Sequence, residues 1–238
     1  MSDYSKFVIL SSPRCGTHMM REGLDYHPNI VCHTEMFNPD YVNTAELETE
    51  TSVRLSDSIY HEYPKGIRTV GFCLHRNGAN VGSWGDIFDM IQSDKSIKII
   101  SLYRKNLLKR FFSVKLQLLS KEEILALEPF LIDADDLIED FKSQSELLSQ
   151  SEILFSDHQV LSVAYEDMVY GYDSSIRQVL KFLLPQKPIS LHTFKFIFKH
   201  YTPISERRSY PSMERLIKNY DHLKHSLKNT EWSVFFED

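Results

Sequence analysis

The chain has 238 residues, 42% hydrophobic and 25% charged, with a formal net charge of −6. That length suits one domain, 1–238, with a sizeable core, and the acidic balance argues against a general nucleic-acid binder, which needs many Lys and Arg against phosphates. A small anionic ligand stays open, because it needs only a few local donors. The three cysteines, Cys15, Cys32 and Cys73, have spacings that fit neither a zinc site nor a disulfide framework. Reduced thiols in a cytoplasmic setting are the expectation. Lys6 is followed by only four apolar residues, which is no secretory leader, and no apolar run approaches the ~20 residues of a membrane span.

Phe7–Leu10 is short, β-branched and apolar, and it runs into the turn formers Ser-Ser-Pro-Arg-Cys-Gly. This predicts a buried strand entering a tight loop. From Thr17 to about Tyr26 the spacing of Met20 and Leu24 predicts a helix, stopped by His27-Pro28. Ile30–Cys32 is the next strand. The stretch from Phe37 to about Glu62 is polar with little periodicity and predicts surface loop with some helix. Val70–Leu74 predicts a strand, Trp84–Ile91 a short amphipathic helix, and Ile97–Leu102 the clearest buried strand. Asn106–Leu119 predicts a helix, since Leu107/Phe111, Leu108/Phe112 and Phe112/Leu116 sit four apart. Residues 121–151 read as helical and acidic, broken near Pro129. Val160–Ala164 is the last strand, and the helix after it carries Ile176, Val179, Leu180 and Leu183 and ends before Pro185.

Strands alternating with helices imply an α/β fold in three layers, P-loop-like, with a central mostly parallel sheet covered by helices on both faces. Ligands of such folds bind at the loops leaving the carboxyl ends of strands. Two of those loops carry chemistry. In Ser11–His18, backbone N–H groups and a helix N-terminus would cradle an anion, Gly16 lets the backbone approach it, Arg14 adds charge and Thr17 a hydroxyl. The plain alternative is an ordinary strand-to-helix turn with Thr17 as N-cap. The pattern G-x-x-x-x-G-K-[ST] is absent, since no Lys follows Gly16, so a nucleoside triphosphatase loses its main support. In the second loop Arg104 lies at a strand's carboxyl end and Ser113 nine residues on, inside the helix. Taken alone, Ser113 reads as a solvated or back-bonded helical serine.

These two loops, in this order, resemble those of the sulfotransferases that use 3′-phosphoadenosine 5′-phosphosulfate (PAPS). Tyr103-Arg-Lys-Asn-Leu-Leu-Lys-Arg-Phe-Phe-Ser113 is similar to the bacterial branch typified by nodulation-factor and other glycan sulfotransferases, down to the spacing of Arg and Ser. Ala164-Tyr-Glu-Asp-Met168, Leu216–Leu223 and Thr230-Glu-Trp232 are similar to further family segments. The resemblance implies that Arg14, Cys15, Gly16, Thr17 and His18 hold the 5′-phosphosulfate, Arg104 and Ser113 the 3′-phosphate, and that Arg207 or Arg208 closes over the cofactor, a solvated pair being the alternative. It implies transfer to a hydroxyl of a glycan or small metabolite, with no metal and with a general base. Glu35, in His33-Thr-Glu-Met-Phe-Asn-Pro39, resembles that base. His75, after the 70–74 strand, is the second candidate. Where relatives have a Lys that assists the sulfate, this chain has Cys73, and Arg14 is the residue to replace its charge. His27 and His33 read as ordinary histidines, Trp84 and Trp232 as packing residues, and 37–65 and 120–155 as acceptor pocket and lid. Two other readings remain: a P-loop-like nucleotide kinase or hydrolase, and a non-catalytic nucleotide-binding protein that kept the fold.

Overall fold

The structure is a computed structural model; it describes residues 4–41, 46, 48–77, 84–186 and 211–237. Five strands form one sheet: β1 (Ser5–Ser11), β2 (Ile30–His33), β3 (Thr69–His75), β4 (Lys98–Tyr103) and β5 (Val160–Ala164). Their order is β2-β3-β1-β4-β5, and every pairing is parallel. All five carboxyl ends therefore lie along one edge.

The strands are apolar on both faces because both are covered. In β1, Phe7 and Ile9 face one core with Met19, Met20 and Leu24 of α1 (Thr17–Asp25), Met168 of α6 (Tyr165–Tyr170) and Ile176, Val179 and Leu180 of α7 (Tyr172–Leu183). Val8 and Leu10 face the other, with Ile87 and Ile91 of α2 (Ile87–Ser93), Trp84 and Phe155. A third cluster joins Leu108 and Phe112 of α3 (Leu107–Lys115) to Leu137 and Phe141 of the long α5 (Ala134–Leu154) and to the C-terminal Leu223 and Phe236. Between α3 and α5, α4 (Lys121–Ala126) starts with a capping box between Ser120 and Glu123. The C-terminal region holds α8 (Met213–Leu216) and α9 (Tyr220–Ser226). Thus the three-layer α/β fold with a parallel sheet is present, and the expected break near Pro129 falls between α4 and α5.

Three elements differ from expectation. The helix expected at Trp84–Ile91 starts at Ile87, because Asp86 takes its N-cap position. Trp84 precedes it as a fully buried ring whose indole N–H donates to the Thr49 carbonyl at 3.2 Å. The helix expected to reach Leu119 ends at Lys115, and Ser120 then caps the next one. The 37–62 stretch is only partly surface. Phe37, Arg54 and Ile59 are buried, and Arg54–Ile59 forms a π-helical turn. The Arg54 guanidinium lies 5.1 Å from the Trp84 ring and donates from Nε to the Met36 carbonyl at 2.7 Å. Its charge is shared between that aromatic wall and Glu46, whose Oε1 is 3.6 Å from Nη2.

Candidate active site

The carboxyl edge of the sheet collects nearly every side chain singled out in the sequence. Glu35 follows β2, His75 ends β3, the Ser11–His18 loop follows β1, Arg104 follows β4, and Tyr165 and Glu166 follow β5. The central loop is tightly bent. Arg14 has φ 68°, an uncommon value for a residue with a side chain, and Gly16 has φ 91°. A Cβ on Gly16 would lie 2.7 Å from Met168 Cε and 2.9 Å from Tyr165 Cδ2, so this position requires glycine for both conformation and space. The Cys15 N–H donates to the Ser12 carbonyl at 3.3 Å, which closes the turn, and the Cys15 side chain points into the core. α1 starts at Thr17, with Gly16 rather than Thr17 in the N-cap place. Its first-turn N–H groups have no acceptor within the helix and form the anion-attracting end. The Thr17 hydroxyl is 2.8 Å from that of Ser11, and both are buried. His18 is exposed.

The loop is joined to the second motif. Arg14 donates from Nε to the Ser113 hydroxyl at 2.9 Å, and Arg104 donates from Nη1 to the Arg14 carbonyl at 3.3 Å. Ser113 is buried on α3, so it is not the solvated serine of the plain reading. Arg104 stacks at 4.5 Å on the Tyr165 ring, and its Nε is 3.9 Å from Glu166 Oε1. That Nε is buried without a hydrogen-bond partner. Burial lowers the pKa of Arg104, against the opposing pull of Tyr165 and Glu166. Glu166 also clamps the loop, accepting from the Lys105 N–H at 2.9 Å and the Asn106 N–H at 3.1 Å. Asn106 caps α3 through the Lys109 N–H and ties it to the Phe235 carbonyl through Nδ2. A cavity of about 240 Å³ opens beside these groups, lined by Arg104, Lys109 and Ser113 together with Tyr220, Phe235 and Phe236.

The two base candidates form one unit. Glu35 is buried, with Oε1 3.0 Å from His75 Nε2 and Oε2 accepting from Asn38 Nδ2 at 2.8 Å. Burial pushes the Glu35 carboxyl up, but the hydrogen bond and charge of His75, with help from Asn38 and His18, outweigh it and hold the pKa below its ordinary value.

Cys73, which stands where the resemblance places a lysine, ends no loop of the site but lies within β3. Its side chain is buried in the core that faces α1, in company with Cys15 and Cys32. Burial, with Cys73 beside it, pushes the Cys32 thiol well up. Arg207 and Arg208 lie outside the described residues. Among the described residues no group of three or more His, Cys, Asp or Glu converges as a metal site would, and no helix is long and apolar enough to cross a membrane. His27 is buried. His33 is half-buried, with Nε2 2.7 Å from the Tyr63 hydroxyl. Sequence reading missed the roles of Tyr165 and Glu166, although it singled out their segment, and it gave no role to Lys109 or Asn38. Asn38, three residues after Glu35, was the nearest to being found.

No protein-family profile matches the chain. Among curated proteins it is 24% identical over 243 residues to Nodulation protein H of Rhizobium tropici, covering 97% of this chain and 92% of that protein. Among solved structures it is similar to mouse sulfotransferase SULT7A1 complexed with PAP, with TM-score 0.50 and 15% identity over 97% of this chain and 74% of the other. It is also similar to a sulfotransferase from Alicyclobacillus acidocaldarius, with TM-score 0.46 and 17% identity over 99% and 91%. The fold, the order of the two motifs and the full-length similarity agree: the chain resembles the sulfotransferase family, in the branch of the nodulation sulfotransferases.

Proposed function

We propose that the protein is an enzyme, a sulfotransferase that moves the sulfuryl group of PAPS to a hydroxyl of a glycan or small metabolite. The observation that carries this reading is the joining of Arg14, on the β1 loop, to Ser113, with Arg104 braced on the same loop. These contacts bring the two proposed anion seats next to each other, which suits a nucleotide phosphorylated at both the 3′ and 5′ positions of its ribose. The residues fit such a ligand: the buried, unpartnered Arg104 Nε is a donor in need of an acceptor, and an orphaned buried donor is costly. The mouse neighbour's complex with PAP supports the same choice of nucleotide, and the nodulation relative supports a glycan acceptor.

On this reading Arg14, Gly16, Thr17 and His18 hold the 5′-phosphosulfate, with the Cys15 backbone shaping the turn. Arg104 and Ser113 hold the 3′-phosphate, and Arg207 or Arg208 closes the site. Bound PAPS supplies the sulfuryl group and a phosphate leaving group, and no metal is needed, because arginines and backbone N–H groups can hold the charge. Glu35 takes the proton of the attacking hydroxyl as the new S–O bond forms and the old one breaks. His75 orients that carboxylate through the Nε2 contact. The chain acts as one unit, 1–238, in the cytoplasm.

A thermal-shift titration with adenosine 3′,5′-bisphosphate, beside ATP, ADP and AMP, tests the reading. A ligand that binds only the folded state stabilises it by ~2.7 kcal/mol at a hundredfold excess over its Kd. A rise specific to the 3′-phosphorylated nucleotide is expected. A rise with ATP alone would return the kinase reading and sink this one.

A further inference from the structure

Arg76 follows β3, yet its side chain serves other strands. Its backbone N–H donates to the Ser11 carbonyl at 2.8 Å, where the β1 loop begins. Its guanidinium donates from Nη1 to the Leu102 carbonyl at 2.8 Å, from Nη2 to Ser101 Oγ at 2.7 Å, and from Nε to Ser151 Oγ on α5 at 2.9 Å. Because β1 lies between β3 and β4, the side chain crosses the root of the Ser11–His18 loop.

All three acceptors are neutral. Among the described residues no carboxylate lies within 4.0 Å of Arg76, though it is only 7% exposed. Burial lowers its pKa to about 10; the Cys15 thiol and the exposed Glu152 oppose this only through charge at longer range. The contrast with Arg110 is direct. Arg110 is equally buried, but its Nη2 meets both oxygens of Asp140, at 2.5 and 2.6 Å. A buried guanidinium with no acid carries a large desolvation cost that neutral oxygens offset only in part. Here the uncompensated charge sits under the root of the Ser11–His18 loop, the proposed 5′ anion seat.

We propose that Arg76 is a positioning residue whose counter-ion is the bound anion itself. It braces the root of the Ser11–His18 loop, and its buried charge raises the loop's affinity for a phosphate or sulfate group. The inference rests on the sulfotransferase reading only for naming that anion as a 5′-phosphosulfate.

Three variants test it, with inorganic sulfate and adenosine 3′,5′-bisphosphate as probes. Arg76→Gln keeps an amide donor and removes the charge; it should lose about tenfold or more in affinity for both probes. Arg76→Lys keeps the charge and should stay within a few-fold of wild type. Ser151→Asp offers Arg76 a carboxylate from α5; it should raise the midpoint of the anion-free protein and weaken anion binding by about tenfold. If Arg76→Gln fails to fold, Ser151→Asp decides. Wild-type affinities in Arg76→Gln or Ser151→Asp would overturn the proposal. So would equal losses in Arg76→Lys and Arg76→Gln, which would assign the effect to bracing alone. Binding of sulfate but not of the nucleotide by wild type would sink the sulfotransferase reading and leave the Arg76 comparison to be read on sulfate. Binding of neither probe would overturn both.

Discussion

Glu35 and His75 leave neighbouring parallel strands and meet in a single contact, Oε1 to Nε2, 3.0 Å long. The two residues compete as bases in the sequence; in the structure they are partners. A carboxylate held by His75 and Asn38 is oriented, and it is kept ionised to lower pH than a free one.

That relationship fixes a pH dependence. Glu35 has a depressed folded-state pKa, so its contribution to stability is present above the unfolded value of ~4.3 and is lost as pH falls through the lower folded value. As the proposed base, it should lose activity over the same low range. Glu35→Gln should cut kcat by roughly 10²–10⁴-fold with nucleotide affinity kept. His75→Asn removes the largest influence pulling the carboxyl down, so the acidic limb of the kcat profile should move to higher pH. Profiles measured with PAPS and a hydroxyl acceptor decide: an unmoved limb means that His75 does not govern Glu35, and full turnover in Glu35→Gln would remove it as the base.

Arg104→Ala should weaken adenosine 3′,5′-bisphosphate far more than Glu35→Gln does. Hydrogen bonds to charged groups contribute ~1.5–3 kcal/mol each, so a loss of at least about tenfold is expected. Ser113→Ala should act in the same direction and more weakly, since it also frees Arg14. Both changes should cost AMP less, since it lacks the 3′-phosphate and feels them only through their contacts with Arg14. Titration calorimetry with both nucleotides tests this, and equal losses for both would place Arg104 at the other end of the ligand.

The strands were legible because each is a short apolar run between turn formers, and a sheet covered on both faces demands that pattern. The Arg104–Ser113 helix was legible because Leu108 and Phe112 repeat at helical spacing. Stretch 37–62 was not. Phe37, Arg54 and Ile59 are buried at irregular intervals around a π-helical turn, which gives no period to read. Arg76 was hidden for a different reason. In the sequence it is one more polar residue after a strand, and its meaning appears only when β3, β1 and β4 stand side by side. The Glu35–His75 contact is equally a product of strand order: each residue was found, and their joining was not.

Cys73→Lys is the variant that the resemblance suggests, and burial predicts its outcome. Cys73 is 1% exposed in the core that faces α1, beside Cys32. An ammonium placed there has no partner, and desolvating an unpaired charge costs several kcal/mol. The variant should unfold at a midpoint lower by roughly 10 °C, at ~2–4 °C per kcal/mol for a chain of this size. Cys73→Ala should cost far less. A folded and faster Cys73→Lys enzyme would show that the lysine reaches the site from this position, against the burial seen.

Gly16 links the stability of the loop to the nucleotide seat. Its φ of 91° strains any residue with a Cβ, at a cost of ~1–3 kcal/mol, and the added carbon would also press on Met168 and Tyr165. Tyr165 is the ring on which Arg104 stacks, so Gly16→Ala should lower both the melting midpoint and the affinity for adenosine 3′,5′-bisphosphate. The two causes separate in a double-mutant cycle with Met168→Ala. Relief of crowding appears as a coupling in which the double variant is less damaged than the sum of the singles, while backbone strain adds without coupling. Strict additivity in both midpoint and affinity would clear Met168 and leave the conformation of Gly16 and the Tyr165 ring as the reasons that this loop carries glycine.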